Sequence, residues 1–366
     1  MQNLSLRHSY FSRGFSLIEL LISMVIAGII LAGVVKIAFN AKRSSFDGEQ
    51  LSFVQDNARF VLEMVKREVR IAGYSGCAGI STANKSTTVV NIMDGFINLT
   101  ESIQGYDGAS NDEPDSYKAD VSGVSDSFIV RFADASKEFV VKSHNESSAE
   151  FTLWENEDIA IGSTLLVADA TCRELGLFQV SGPGGSSKKV LHAADGSRNC
   201  TRVLRSTNAV EISCADACSV STCGGSSEVA FNPGSTLMPY NVHAYYIGES
   251  AVMPGMPALK KQVLTASGGV AVTETEELAI GVEDMQVVYG VDVDDDAEAN
   301  QYLSANDVSD WGEVVSMRLT LVFRSAREVY ATGQQVTLKL DGSDYSLSSD
   351  RFMRQVITTS VKIRNN

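Results

Sequence analysis

The sequence predicts an α+β protein in which one long N-terminal helix precedes, and packs on, a large antiparallel β-rich head. Three observations carry that expectation. An apolar run extends from Leu20 to Val35, with Ser23 its one polar residue and Lys36 closing it. From Val54 to Ala72 apolar residues recur at spacings of three and four, the period of a helix with one buried face. Beyond Cys77 that period gives way to short runs rich in β-branched and aromatic residues, separated by Gly, Asn, Asp and Ser, as in antiparallel sheets.

Composition supports a folded chain. Over 366 residues, 44% hydrophobic and 20% charged content suits a sizeable core. A formal charge of −15 excludes a general nucleic-acid-binding surface, because phosphate contacts require clustered Lys and Arg. Arg7 and Arg13 precede the apolar run, and residues 1–14 contain no acid. That asymmetry predicts a cytoplasmic N-terminus and an exported C-terminal bulk. The six cysteines, Cys77, Cys172, Cys200, Cys214, Cys218 and Cys223, read as disulfides formed in an oxidising periplasm, with the pairing left open. Cys214, Cys218 and Cys223 lack C-x2-C clamps and a nearby His, so no metal is expected there.

Taken in order, residues 1–14 form a basic leader to be removed, residues 15–76 a transmembrane and amphipathic stalk helix, and residues 77–366 the head. A disulfide-stapled insertion is expected near 172–223. An ordinary secretory signal is cut after its apolar core. Here the processing point suggested by Gly14 and Phe15 precedes the core, so cleavage removes the leader and leaves the helix attached. At ~1.5 Å per residue the stretch from Phe15 to Ala38 spans about 36 Å, enough to cross a bilayer. Glu19 lies within it, at a cost on the order of 2–3 kcal/mol if deeply placed and unpaired, so it demands a partner. Gly28 and Gly33 soften the helix by about 1 kcal/mol each relative to Ala.

In the second half of the helix, Val54, Ala58, Val61, Leu62, Val65, Val69 and Ala72 form the apolar face. Gln55, Asp56, Arg59, Glu63, Lys66, Arg67 and Arg70 lie opposite. A break or softening is expected near Gly48 and an end at Gly73. Strands are expected at 127–133, 138–142, 151–154, 164–168, 177–181, 209–213, 242–247, 259–263, 284–292, 314–325, 335–340 and 351–364. Surface loops are expected at 107–120, 182–189 and 216–228. In the last strand Val356, Thr358, Ser360 and Lys362 alternate with Ile357, Val361 and Ile363.

Catalytic chemistry finds little support. Asp292, Asp294 and Asp296 would be the ligands of a calcium ion, a hard cation that takes oxygen ligands. An EF-hand counted from Asp292 would place Gly and Glu where this chain has Ala297 and Leu303, so a solvated acidic turn is the preferred reading. The glycines around Gly182 lack the G-K-[ST] order of a phosphate loop, and there is no G-x-S-x-G elbow. His8, His144, His192 and His243 have no H-E-x-x-H spacing. Neither an enzyme nor a cofactor is expected.

The stretch from Arg13 through Gly14, Phe15, Ser16, Leu17, Ile18 and Glu19 into the apolar helix resembles the class III signal of type IV pilin precursors. Later residues extend the likeness: Ala72 to Cys77; Leu166 to Cys172; Tyr245, Tyr246 and Ile247; Glu276 to Gln286; Tyr289 to Asp292; and Trp311 to Val315. Together they resemble type IV pilus minor pilins of the PilW type and, more distantly, J-type minor pseudopilins of type II secretion. The resemblance implies a pilin-like fold and a prepilin peptidase that cleaves at Gly14 and N-methylates Phe15. It implies that Glu19 meets the new N-terminal amine of a neighbouring subunit during assembly. Other minor pilins, the major pilin, the inner-membrane assembly platform and membrane lipid are the implied partners. The implied role is in a priming or tip complex supporting twitching motility, adhesion or DNA uptake, from a single-pass inner-membrane protein with a periplasmic head. A type II minor pseudopilin and a membrane-anchored adhesin or binding module are the alternatives.

Overall fold

A computed structural model describes residues 16–76, 84–90, 93, 95–108, 112–121, 124–204, 212–213, 231–340, 343–347 and 349–365. Helix α1 (Leu17–Ile71) runs unbroken through Gly48. The expected break there does not form, since one glycine costs about 1 kcal/mol, little against the cooperativity of 55 residues. Gly73 ends the helix at φ 77°, the left-handed conformation that glycine adopts without strain. A Cβ at this position would lie 2.4 Å from the Asn365 carbonyl oxygen, so the site excludes any larger residue. By internal contacts the chain forms two compact units, Met1–Ser52 and Phe53–Asn366, so the second half of α1 belongs to the head.

The head contains β1 (Asn84–Thr87), β2 (Ile103–Tyr106), β3 (Ser127–Ala133), β4 (Phe139–Asn145), β5 (Glu150–Asp158) and β6 (Thr164–Ala168). It continues with β7 (Glu174–Gln179), β8 (Ser186–Leu191), β9 (Ile212–Ser213), β10 (Thr236–Glu249), β11 (Pro257–Ser267) and β12 (Val270–Ile280). The last strands are β13 (Val282–Val291), β14 (Gln301–Leu303), β15 (Val314–Glu328), β16 (Thr337–Leu340), β17 (Ser343–Ser346) and β18 (Phe352–Lys362). Antiparallel pairing dominates; β1 runs parallel to β7 and β9. The large sheet is centred on β10, whose first residues pair with β4 and β6 and whose later ones pair with β3 and β11. A second sheet has the order β14-β13-β15-β18, and β16 and β17 form a separate hairpin.

The main core joins helix and both sheets. Val54, Ala58, Val61, Val65, Val69 and Ala72 are all buried, as their spacing predicts, against Phe128, Tyr245, Leu319, Leu321, Val361 and Ile363 among others. Each valine contributes roughly 1.5–3 kcal/mol by leaving water. On β3, fully buried Arg131 donates to the carbonyls of Phe96, Glu101 and Gly95 and to Gln104 Oε1 at 2.7–3.2 Å, fixing the segment before β2 to the sheet.

Two departures from expectation have physical causes. Residues 182–189, expected as a loop, include the start of β8, whose Ser- and Lys-rich sequence becomes a strand by pairing with β5. Strand β12 was not expected, because glutamate is disfavoured in strands; it forms as a sheet edge, where charge is tolerated. Within the stretch expected as an insertion near 172–223, β7 and β8 are strands of the main sheet. Residues 216–228 lie outside the described residues.

Candidate functional site

Helix α1 starts with a reciprocal signal in its sequence. Ser16 followed three residues later by Glu19 is the capping-box spacing, and Glu19 Oε2 accepts the Ser16 backbone N–H at 3.0 Å. A carboxylate in the first turn also complements the positive end of the helix dipole. Farther along, Ser23 Oγ donates to the Leu20 carbonyl at 2.9 Å, which satisfies the hydroxyl inside its own helix. The surrounding side chains from Leu17 to Val35 are exposed, and the helix is long and apolar enough to cross a membrane. Gly14 and Phe15 lie outside the described residues. What the site can do is therefore set by Glu19: a carboxylate on an exposed apolar helix, bonded within the chain to one local N–H and able to accept a further cationic donor.

A second glutamate on the same helix is placed quite differently. Glu68, 7% exposed, faces the head. His243 Nδ1 lies 2.6 Å from Glu68 Oε2, and the Tyr245 hydroxyl donates to the same oxygen. Burial pushes the Glu68 carboxyl up, but the His243 and Tyr245 hydrogen bonds and nearby Lys261 outweigh it and hold the group below its ordinary value. The sequence pattern hid this residue, because position 68 reads as one more charge among Lys66, Arg67 and Arg70.

The other sequence candidates divide. Asp292, Asp294 and Asp296 do come together, each offering an oxygen within 4.8 Å of the others. Their oxygens already serve the turn: Asp292 accepts from the N–H groups of Asp294 and Ala297, Asp296 from that of Glu298, and Asp294 from Asn300 Nδ2. Among the cysteines, Cys172 occupies a turn at φ 61° and Cys200 is buried. Cys77, Cys214, Cys218 and Cys223 lie outside the described residues.

Two histidines far apart in sequence also meet. His144 Nε2 lies 3.0 Å from His192 Nε2, within a nest of Phe151, Phe178 and Phe231 rings. His144 Nδ1 accepts the Phe231 N–H at 3.3 Å, so its proton sits on Nε2 and is donated to His192. Burial depresses both rings, His144 to about 4 and His192 to about 3, so the pair is neutral near pH 7. The two rings pack as a pair among these phenylalanines.

Comparison with known families gives two matches. Residues 11–35 match the prokaryotic N-terminal methylation motif, and residues 244–365 match the type IV pilus-assembly protein W. No curated protein and no solved structure matches the chain. The first match covers the junction and the start of α1; the second runs from within β10 through β18.

Proposed function

From a chain that is prepilin-like at its N-terminus and of the type IV pilus-assembly protein W kind over its C-terminal third, a membrane-anchored pilus protein with a structural role, we propose a minor pilin that helps start pilus assembly. A prepilin peptidase cleaves between Gly14 and Phe15 and methylates the new amine. The head stands in the periplasm and joins other minor pilins on the assembly platform before the major pilin is added. The resulting filament serves twitching motility, adhesion or DNA uptake.

One observation carries the proposal. Glu19 sits in the first helical turn of an exposed apolar helix, with the Ser16 N–H as its bonded partner. Cleavage at Phe15 creates a positive amine four residues away on each copy. Within a membrane, the amine of a neighbouring subunit is the donor that offsets the cost of such a carboxylate. Processing and assembly are thereby one electrostatic event.

The test is made in cells. Deleting the gene should remove surface pili while leaving the level of major pilin intact, and supplying it again should restore them. Gly14→Val should leave the precursor at its unprocessed gel mobility when the peptidase is co-expressed. Normal piliation in the deletion strain would overturn the proposal, and lost protein secretion in that strain would point to a pseudopilin.

A further inference from the structure

Of the two tryptophans, Trp311 packs edge-on against Tyr289 with ring centroids 4.8 Å apart, whereas Trp154 on β5 is 57% exposed. Two irregularities of the sheet place Trp154. Strands β4 and β5 pair from Asn145 and Glu150 as far as Val141 and Leu153, where their ladder ends. Phe139 and Val140 continue along β10 instead, so β4 and β5 separate as a fork. On its other edge β5 pairs with β8 at Thr152 and Lys189 and again at Glu157 and Ser187, so residues 153–156 face Lys188 alone. Lys188 Nζ donates to the Trp154 carbonyl at 2.9 Å. Bulges of this kind re-aim side chains, and here one presents an indole to solvent.

The fork holds a cleft of about 320 Å³, with Glu138 and Val140 on one arm and Trp154, Glu155 and Glu157 on the other. That volume is at the lower end of the range for small-molecule sites, about 300–1,000 Å³. Val140 adds a second apolar surface, 45% exposed. Lys142 is the extra residue of the bulge between Val141 and Ser143, and its Nζ lies 5.2 Å from the centroid of the Trp154 ring. Glu138 accepts the Tyr74 hydroxyl at 3.1 Å through one oxygen. The Glu155 and Glu157 carboxylates have no bonded partner among the described residues. An apolar plate thus stands among three carboxylate acceptors and one ammonium donor.

We propose that the fork between β4 and β5 binds a neutral sugar residue of a glycan chain. The C–H face of the sugar ring stacks on the indole, a broad and rigid apolar surface. Sugar hydroxyls both donate and accept, which suits carboxylates and an ammonium standing around one plate. The mixed charges disfavour the other ligand classes. A cation would have to displace the Lys142 ammonium from the indole, and an anion would meet three carboxylates. A wholly apolar ligand would strip water from those carboxylates without replacing its hydrogen bonds. The site stands apart from the assembly role proposed above, since no residue of it lies on the apolar helix.

The test uses the full chain in micelles of a detergent without a sugar headgroup, titrated with cellohexaose, maltohexaose, mannohexaose and chitohexaose. Binding is followed by calorimetry and by tryptophan emission. At least one of the four should bind saturably, with a Kd of about 1 mM or below. Its affinity should be unchanged between about 0.1 M and about 1 M salt, because screening does not act on a neutral ligand. Trp154→Ala should weaken binding about tenfold, while Trp154→Phe, which keeps an aromatic face, should retain most of it. Glu155→Gln should weaken it about threefold by exchanging a charged acceptor for a neutral one. Trp154 and Glu155 are both exposed, so the unfolding temperature should not move in these variants. No saturable binding of any of the four sugars overturns the proposal. So does undiminished binding in a folded Trp154→Ala variant, and so does a preference for spermine or hexagalacturonate over the neutral sugars. None of these results bears on the cellular role proposed above, which is read from piliation.

Discussion

Helix α1 carries two glutamates with opposite fates. Glu68 is buried and satisfied inside its own chain by His243 and Tyr245. Glu19 stands on an exposed apolar surface and is bonded to the Ser16 N–H at the helix start. One carboxylate is held by buried partners from its own chain, and the other, beside its bond to Ser16, keeps capacity for a further donor. Desolvation makes an unpaired carboxylate costly, and at Glu68 that cost is offset by His243 and Tyr245.

Glu19→Val gives the largest separation of the two. Surface pili should fall to background while peptidase cleavage and the head's unfolding temperature stay unchanged, measured by immunoblot of sheared filaments and by circular dichroism. A destabilised head would show that the two glutamates are not independent. Glu68→Ala should do the reverse, costing about 2–4 kcal/mol because it strands two buried partners, read as a drop of several degrees in unfolding temperature. Since its folded pKa is depressed, the Glu68 contribution is present above pH 4.5, the ordinary glutamate value, and is lost as pH falls through the folded value.

Acid should also reach the head through His144 and His192. Unfolded imidazoles take protons near 6.5, whereas the folded pair holds them off to about 4 and about 3, so stability falls as pH drops below 6.5. The loss should be on the order of 3 kcal/mol for each ring by pH 4, and His192→Phe should flatten the slope measured by urea denaturation at stepped pH. A slope unchanged by that substitution would place the acid sensitivity elsewhere. The smallest effect is that of Gly28→Ala, which should strengthen the local helix by about 1 kcal/mol, seen as slower amide exchange around residue 28, with the head unaffected.

The periodic parts of the molecule were legible in the sequence. Val54, Val61, Val65 and Val69 lie where their spacing puts them, and so does the alternation of Val356 and Thr358 against Val361. Periodicity reports which face is apolar, and burial of an apolar face is what folds these elements. Residues buried for polar reasons carry no such mark. Arg131, Glu68, Asp126 and Asp284 look like surface charges until distant residues supply their bonds, and His144 and His192 meet across 48 positions of chain. At the candidate site, the sequence marked Glu19 as a charge within an apolar run, whereas its bond to the Ser16 N–H became visible only with the first turn of α1 in place.

The closeness of the helix end to the last strand also bears on how this protein comes to be folded. Asn365 Nδ2 donates to the Ala72 carbonyl across 293 positions, and Val361 and Ile363 share one core with Val54 and Val69. Contacts so distant in sequence must wait for a long loop to close, which slows folding. During synthesis the apolar face of the stalk emerges early, and the strand that completes its shelter emerges last. In that interval the nascent chain exposes a sticky helix surface for hundreds of residues of elongation, a window in which a chaperone, or the wrong neighbour, can bind first.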